Sequence, residues 1–178
     1  NWTQKHYLQK CSWDRGEKIL QNIKTDVADD IAAHIDIFMA WMHVLSQERQ
    51  AQWWKRLTER SVTLMDVVEG VVAVMNIAAY PAEILVWKKS TPETTIVILQ
   101  KLQQFFKQMH DEDMNAATLE KKLLSWIADS EWGNGDVLWP LRVALSGREK
   151  SPPPFELSEM LGKEEVLRRI QYAMTLLQ

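Results

Sequence analysis

VLWPLRVALSGREKSPPPFEL, residues Val137–Leu157, sets the reading of the whole chain. An apolar run ends at Ser146-Gly147. Arg142 stands inside that run, Arg148 follows the glycine directly, and the prolines Pro152, Pro153 and Pro154 lead into Phe155 and a further patterned segment. A glycine just past a periodic stretch is a helix stop, because it takes the left-handed C′ conformation without a Cβ clash. A core helix needs no arginine on either side of its stop, and a flexible linker would not run straight into another helix. The stretch therefore predicts two helices meeting at a corner that presents side chains.

Outward from this corner the pattern stays helical. Asp14–Lys24 carries Ile19, Leu20 and Ile23 on one side, and Asp29–Leu45 places Ile31, Ile35, Phe38, Met42 and Leu45 at the 3.6-residue period. Gln47–Glu59 is strongly charged around Trp53, Trp54 and Leu57, and a valine-rich helix is expected over Val62–Met75. Ala79-Tyr80-Pro81 reads as a break, since the residue before proline is pushed out of the helical region. Thr91 is placed to cap a helix with Pro92 at its first position, Ser90 and Glu93 also fit a capping box, and Ile96, Leu99, Leu102 and Phe106 share a face. Asn115 is placed to cap the next helix, with Leu119, Leu123, Trp126 and Ile127 inward. After the Gly133–Gly135 turn, Asp136 is expected as the cap of the Val137–Leu145 helix, with Pro140 tolerated in or near its first turn. Phe155–Leu161 and Lys163–Leu177 complete the set, separated by Gly162. The expectation is an all-α bundle in two parts, with borders at Tyr80-Pro81 and at Gly133–Gly135.

Composition narrows the function classes. Of the 178 residues 46% are hydrophobic and 25% charged, as in an ordinary globular chain rather than a disordered one. No apolar run approaches the roughly 20 residues of a membrane span, and no signal-peptide pattern opens the chain. The chain starts at Asn1 rather than Met, which reads as an excised domain. Cys11 stands alone, so no internal disulfide forms, as expected in a reducing cytosol, and Asn1-Trp2-Thr3 is only a formal glycosylation sequon. Net charge is −3, with the acidic excess confined to the middle: six basic against ten acidic residues over 61–135, and six of each over 136–178. That balance disfavours a generally basic nucleic-acid binder but allows a local positive face. Nine tryptophans point to packing by large rings.

Catalytic patterns are missing. The chain has no glycine-rich phosphate loop, no GxSxG elbow, no HExxH and no zinc spacing. His6, His34, His43 and His110 are scattered. Asp29 and Asp30 suit the positive end of a helix dipole, and Asp111-Glu112-Asp113 suits a solvated loop. No catalytic residue, metal site or bound cofactor is expected in these residues. At the corner, by contrast, the planar arginine fork donates two hydrogen bonds at once to a phosphate or base edge. A stiff proline loop offers carbonyls and flat apolar surface to an unstacked base, the way single-stranded RNA loops are read. On the residues alone a second reading stays open: Arg142 pairs with a nearby glutamate and the prolines merely cross the surface.

GNGDVLWPLRVALSGREKSPPPFELSEMLGKEEVLRRI, residues 133–170, resembles the C-terminal part of bacterial glutamyl-tRNA synthetases. The family pattern there is a glycine, then LWPLRVALTGR, SPxPFE and LGKEETLxRI. YPAEILVWKKSTPE is similar to the family's Trp-Lys element and capped helix, DEDMNAATLEKKL to its next helix start, LTERSVTLMDVVE to a helix join, and NWTQKHYLQK to the segment before the anticodon-binding domain. The likeness covers nearly the whole chain and is least close from about Cys11 to Gln52.

The resemblance implies an all-α, two-subdomain helical bundle, an α-helix cage of the class I synthetase anticodon-binding type. Residues 1–10 would end the preceding connecting segment, 11–132 would form the first helical subdomain and 133–178 the C-terminal one. It implies a monomer in the cytoplasm, away from membranes, that reads the anticodon loop of tRNA(Glu). The N-terminal catalytic domain, with its HIGH and KMSKS signatures, would lie elsewhere in the parent ligase and use ATP and magnesium. By the same resemblance Arg142 helps hold the anticodon, and Ser151, Pro152 and Pro154 line the pocket for its bases. Pro153 stands where the family usually has glycine, so a backbone amide is lost there. Some members use an arginine of the first subdomain to separate glutamate from glutamine anticodons; Arg60, with Arg56 behind it, is the candidate for it. Arg148 joins the binding set, and Lys150, Arg168, Arg169 and Arg56 are expected phosphate contacts. Two other classes remain: the anticodon domain of a class I lysyl-tRNA synthetase, and a helical protein–protein module that has lost RNA binding.

Overall fold

The computed structural model describes residues 2–88 and 90–178. Asn1 of the formal sequon and Lys89 of the Trp-Lys element lie outside them. The chain folds into two compact units, one ending at Asn76 and the other spanning Ile77–Gln178, with no strand among the described residues.

The first unit contains α1 (Trp2–Lys10), α2 (Trp13–Lys24), α3 (Asp29–His43), α4 (Gln47–Arg60) and α5 (Leu64–Met75). Ile35, Phe38 and Met42 of α3 are buried as the periodicity requires, and Val67, Val68, Val71 and Val72 of α5 meet them. Ile31, Leu45 and Leu57 lie only at the edge of this core. Aromatic rings fill the rest. Trp13 packs on Phe38 and Trp54 with centroids 5.8 and 5.4 Å away, and Trp41 meets Trp53 at 5.5 Å. The Trp54 indole N–H donates to the Cys11 carbonyl at 2.7 Å, so the buried ring keeps its polar edge satisfied. The valine helix starts at Leu64 rather than Val62. Thr63 caps it, and the Asp66 carboxylate returns to accept from the Thr63 and Val62 amides. These bonds favour the charged carboxylate and hold the Asp66 pKa below its ordinary range.

The second unit opens with a 3₁₀ turn at Ala82–Leu85 and continues with α6 (Pro92–Gln108), α7 (Ala116–Ala128), α8 (Asn134–Ser146) and α9 (Pro154–Leu176). Thr91 caps α6 by accepting from the Thr94 amide, and Asn115 caps α7 by accepting from the Thr118 amide. The Ser90–Glu93 box does not form, because the helix register puts Thr94, not Glu93, three residues past the cap. α9 packs on α6, α7 and α8, and Leu99, Leu102, Phe106, Leu119, Leu123, Leu141, Leu157, Val166 and Ile170 make the core. Ile96 and Trp126, expected inward, are only half-buried, and Thr95 and Ile98 take the inner positions on α6.

Two details of α8 differ from expectation. The helix starts at Asn134, so Gly133 is its cap residue and Asp136 acts from inside the first turn, accepting from the Gly133 amide at 3.1 Å. Pro140 consequently sits in the second turn, where it removes the N–H that the Asp136 carbonyl would have met. Gly147 ends the helix as expected, at φ 67°, with its amide on the Val143 carbonyl at 2.7 Å. Gly162 interrupts α9 at φ 74° and ψ 165°, a region open almost only to glycine. The Gly133–Gly135 turn lies inside the second unit, where α8 packs against both α6 and α7.

Candidate nucleic-acid interface

The corner between α8 and α9 is built on one hydroxyl and one glycine. Buried Ser146 donates to the Arg142 carbonyl at 2.8 Å, with the Arg148 carbonyl at 3.1 Å as its alternative acceptor, and accepts from the Arg148 amide at 3.2 Å. Gly147 allows the chain to reverse tightly: a Cβ there would stand 3.0 Å from both Ile77 and Tyr80. Arg148, Glu149 and Lys150 emerge into solvent. Ser151 is half-buried and its hydroxyl donates to the Pro152 carbonyl at 3.3 Å. Pro153 is exposed and its carbonyl accepts from the Leu157 amide at 3.1 Å, while Pro154 occupies the first position of α9.

Arg142 is half-buried on α8, three residues behind the corner's last buried leucine, Leu145. Its Nε is buried and meets no hydrogen-bond partner among the described residues. A buried donor without an acceptor costs about 1–3 kcal/mol. Among the described residues no carboxylate is paired with Arg142, so the simple reading of a helix-surface ion pair is not realised there.

Two sequence-named residues are placed differently from expectation. Pro154 is buried, so it seats the loop instead of offering a face. Arg169 is only 2% exposed. Its Nε donates to Glu165 at 2.6 Å and its Nη1 to the Leu145 carbonyl at 2.5 Å, so it stands inside the core under α8 rather than facing a phosphate. Arg168 is 63% exposed and forms a two-pronged pair with the same Glu165, at 2.7 and 2.6 Å. Arg168, and then Arg169, hold the Glu165 carboxyl down at about 2 against the opposing pull of burial.

Arg56 and Arg60 belong to the first unit, in the last turns of α4. The Arg56 guanidinium lies over the Trp53 ring at 5.1 Å, and Arg60 is exposed. The histidines are placed as surface groups: His34 meets Glu69 and His43 meets Glu17, each at 2.8 Å. Glu165 and Ser146 were not singled out from sequence. Ser146 had a readable signal, as the residue before a helix-ending glycine.

The arrangement supplies cations, hydroxyl and carbonyl groups on a stiff corner, with no carboxylate spent on Arg142. The anticodon binding domain family matches residues 30–174. The chain is 31% identical over 172 residues to a glutamate–tRNA ligase of Clostridium botulinum, covering 94% of this chain and 34% of that protein. It is 30% identical over 177 residues to that of Clostridium novyi, covering 96% and 33%. The crystal structure of a glutamate tRNA ligase from Elizabethkingia meningosepticum superposes with a TM-score of 0.72 at 22% identity, over 99% of this chain and 32% of that one. The glutamate-tRNA synthetase of Elizabethkingia anophelis gives 0.64 at 21% identity, over 98% and 30%. The chain thus spans about a third of the length of the relatives it matches. On the family match, which covers most of its residues, this chain belongs to the anticodon binding domain family.

Proposed function

We propose that this chain reads the anticodon loop of tRNA(Glu) as the C-terminal part of a glutamate–tRNA ligase. The observation that carries the reading is the α8–α9 corner: an arginine with a buried, unmatched donor beside an exposed basic turn and a proline-stiffened loop. Anticodon bases unstack against this corner. Arg142 meets a base edge or a phosphate, and the 151–155 loop closes on the last anticodon base by shape and polar contacts. Arg148, Lys150 and the exposed arm of Arg168 attract phosphates, which makes binding fall with salt. Arg60, with Arg56 behind it, contributes base discrimination from the first unit. Residues 133–178, which lie within the second unit, carry the base-reading corner.

In the whole enzyme, ATP and magnesium serve glutamate activation in the catalytic part outside these 178 residues. The setting is the cytoplasm, and the chain acts as a monomer on one tRNA. These residues hold no catalytic pattern of their own, so the function assigned here is recognition.

The test is a low-salt titration of the chain with a glutamate-type anticodon stem-loop and with a loop changed at its last anticodon base. The reading expects clearly tighter binding to the first. Equal binding to both contradicts base reading and leaves a non-specific backbone holder.

A further inference from the structure

We propose that Arg169 is a positioning residue for the base-reading corner: a buried cation that ties the C-terminal end of α8 to α9 and so fixes where Arg142 and Arg148 point. The inference rests on the anticodon reading for its functional half, and on geometry alone for its structural half.

Fully buried arginines are unusual, since taking a charge out of water costs several kcal/mol unless it is paired and hydrogen-bonded. Arg169, at 2% exposure, is the largest fully buried side chain among the described residues. It lies on the inward stripe of α9 with Val166, Ile170 and Ala173, where an aliphatic side chain would pack at no electrostatic cost. Instead its fork joins two elements. Nε is held by Glu165 one turn back, and Nη1 reaches across to the Leu145 carbonyl, one of the last four of α8. A cation at that carbonyl also suits the negative end of the helix dipole.

The neighbours fit the same role. Leu145 is followed by Ser146, whose hydroxyl bridges the Arg142 carbonyl and the Arg148 amide. Tyr80 packs on Tyr172, one turn past Arg168, at 5.9 Å, and also approaches Gly147. Burial raises the Tyr80 hydroxyl well above its ordinary value, Tyr172 adds to that and Arg169 opposes it. The anchor therefore lies beneath the turn that separates half-buried Arg142 from exposed Arg148. A leucine or methionine would fill the space but would not fix the direction of the α8 terminus.

The prediction separates stability from placement. Arg169→Met fills the volume but takes the donor from the Leu145 carbonyl and from the Glu165 carboxylate, so it should lower the melting temperature. It should speed amide exchange at Gly147 and Arg148. It should also shrink the preference for the glutamate-type loop over the last-base variant by about tenfold, on the scale of couplings carried through packed networks. Arg169→Lys keeps one donor for the Leu145 carbonyl and should recover part of both effects. Glu165→Gln, which removes only the carboxylate that holds the fork, provides a second variant if Arg169→Met does not fold, and should move both readouts the same way.

Unchanged exchange at Gly147 and Arg148 in the folded variants overturns the positioning role whatever happens to RNA binding. Faster exchange with an undiminished loop preference overturns the functional half. Equal binding of both loops by the wild type overturns the anticodon reading and that functional half with it, while the exchange data still decide whether Arg169 orders the corner.

Discussion

The Ser146 hydroxyl accepts from the Arg148 amide at 3.2 Å while donating to the Arg142 carbonyl at 2.8 Å. One buried oxygen thus links the two arginines on either side of the Gly147 reversal. Removing it leaves an exposed amide that water can satisfy and a carbonyl that keeps its place in α8. Ser146→Ala should therefore cost only about 1 kcal/mol in urea unfolding, but should loosen the turn, seen as faster amide exchange at Arg148. A loss well above that value with unchanged exchange would show the hydroxyl acting in the core alone.

Two glycines should respond with opposite signs. A Cβ on Gly16 would lie 2.4 Å from the Trp54 ring, which is pinned by its bond to the Cys11 carbonyl. Gly16→Ala should cost about 1–3 kcal/mol by overpacking and shift the tryptophan fluorescence. Gly70 is exposed within α5 and has nothing within 4 Å of its missing Cβ. Gly70→Ala should stabilise by about 0.5–1 kcal/mol, the helix-propensity difference. Denaturant midpoints of the two variants check both signs.

Glu165 makes a pH prediction. Its folded pKa of about 2 lies below an ordinary value of about 4.5. A depressed carboxylate stabilises the fold above the unfolded pKa and loses that contribution as pH falls through the folded one. Each unit is worth about 1.4 kcal/mol, and water screens the exposed Arg168 arm, so about 2 kcal/mol is expected at neutral pH. The stability gap between wild type and Glu165→Gln should be full above pH 5 and close toward pH 2. A gap independent of pH would contradict the assignment.

Much of the fold was legible because helix caps and apolar periodicity are local. Thr91-Pro92 and Asn115 name two helix starts without any tertiary information, and Gly147 names a helix end. Register errors arose where two local signals compete. Ser90 and Thr91 are both good caps, and Asp136 is as effective inside the first turn as in front of it. Of the site, the arginines were legible but not their burial. Arg169 carries the signal of a surface phosphate ligand by type. Its spacing from Val166, Ile170 and Ala173 puts it on the buried stripe, and that spacing is the clue that residue type obscures. The unmatched Nε of Arg142 has no sequence signal, since it depends on which carboxylates the packing leaves within reach.

The most direct measurement is a double-mutant cycle between protein and RNA. Wild type and Arg142→Ala are each titrated with the glutamate-type stem-loop and with the loop changed at its last anticodon base, at one fixed salt concentration. Base reading by this corner predicts that each change alone weakens binding and that the two are coupled by about 1–3 kcal/mol, the scale of a good arginine–base contact. Additive effects, with Arg142→Ala weakening both loops alike, would place Arg142 on the phosphate backbone and contradict its role in reading the base.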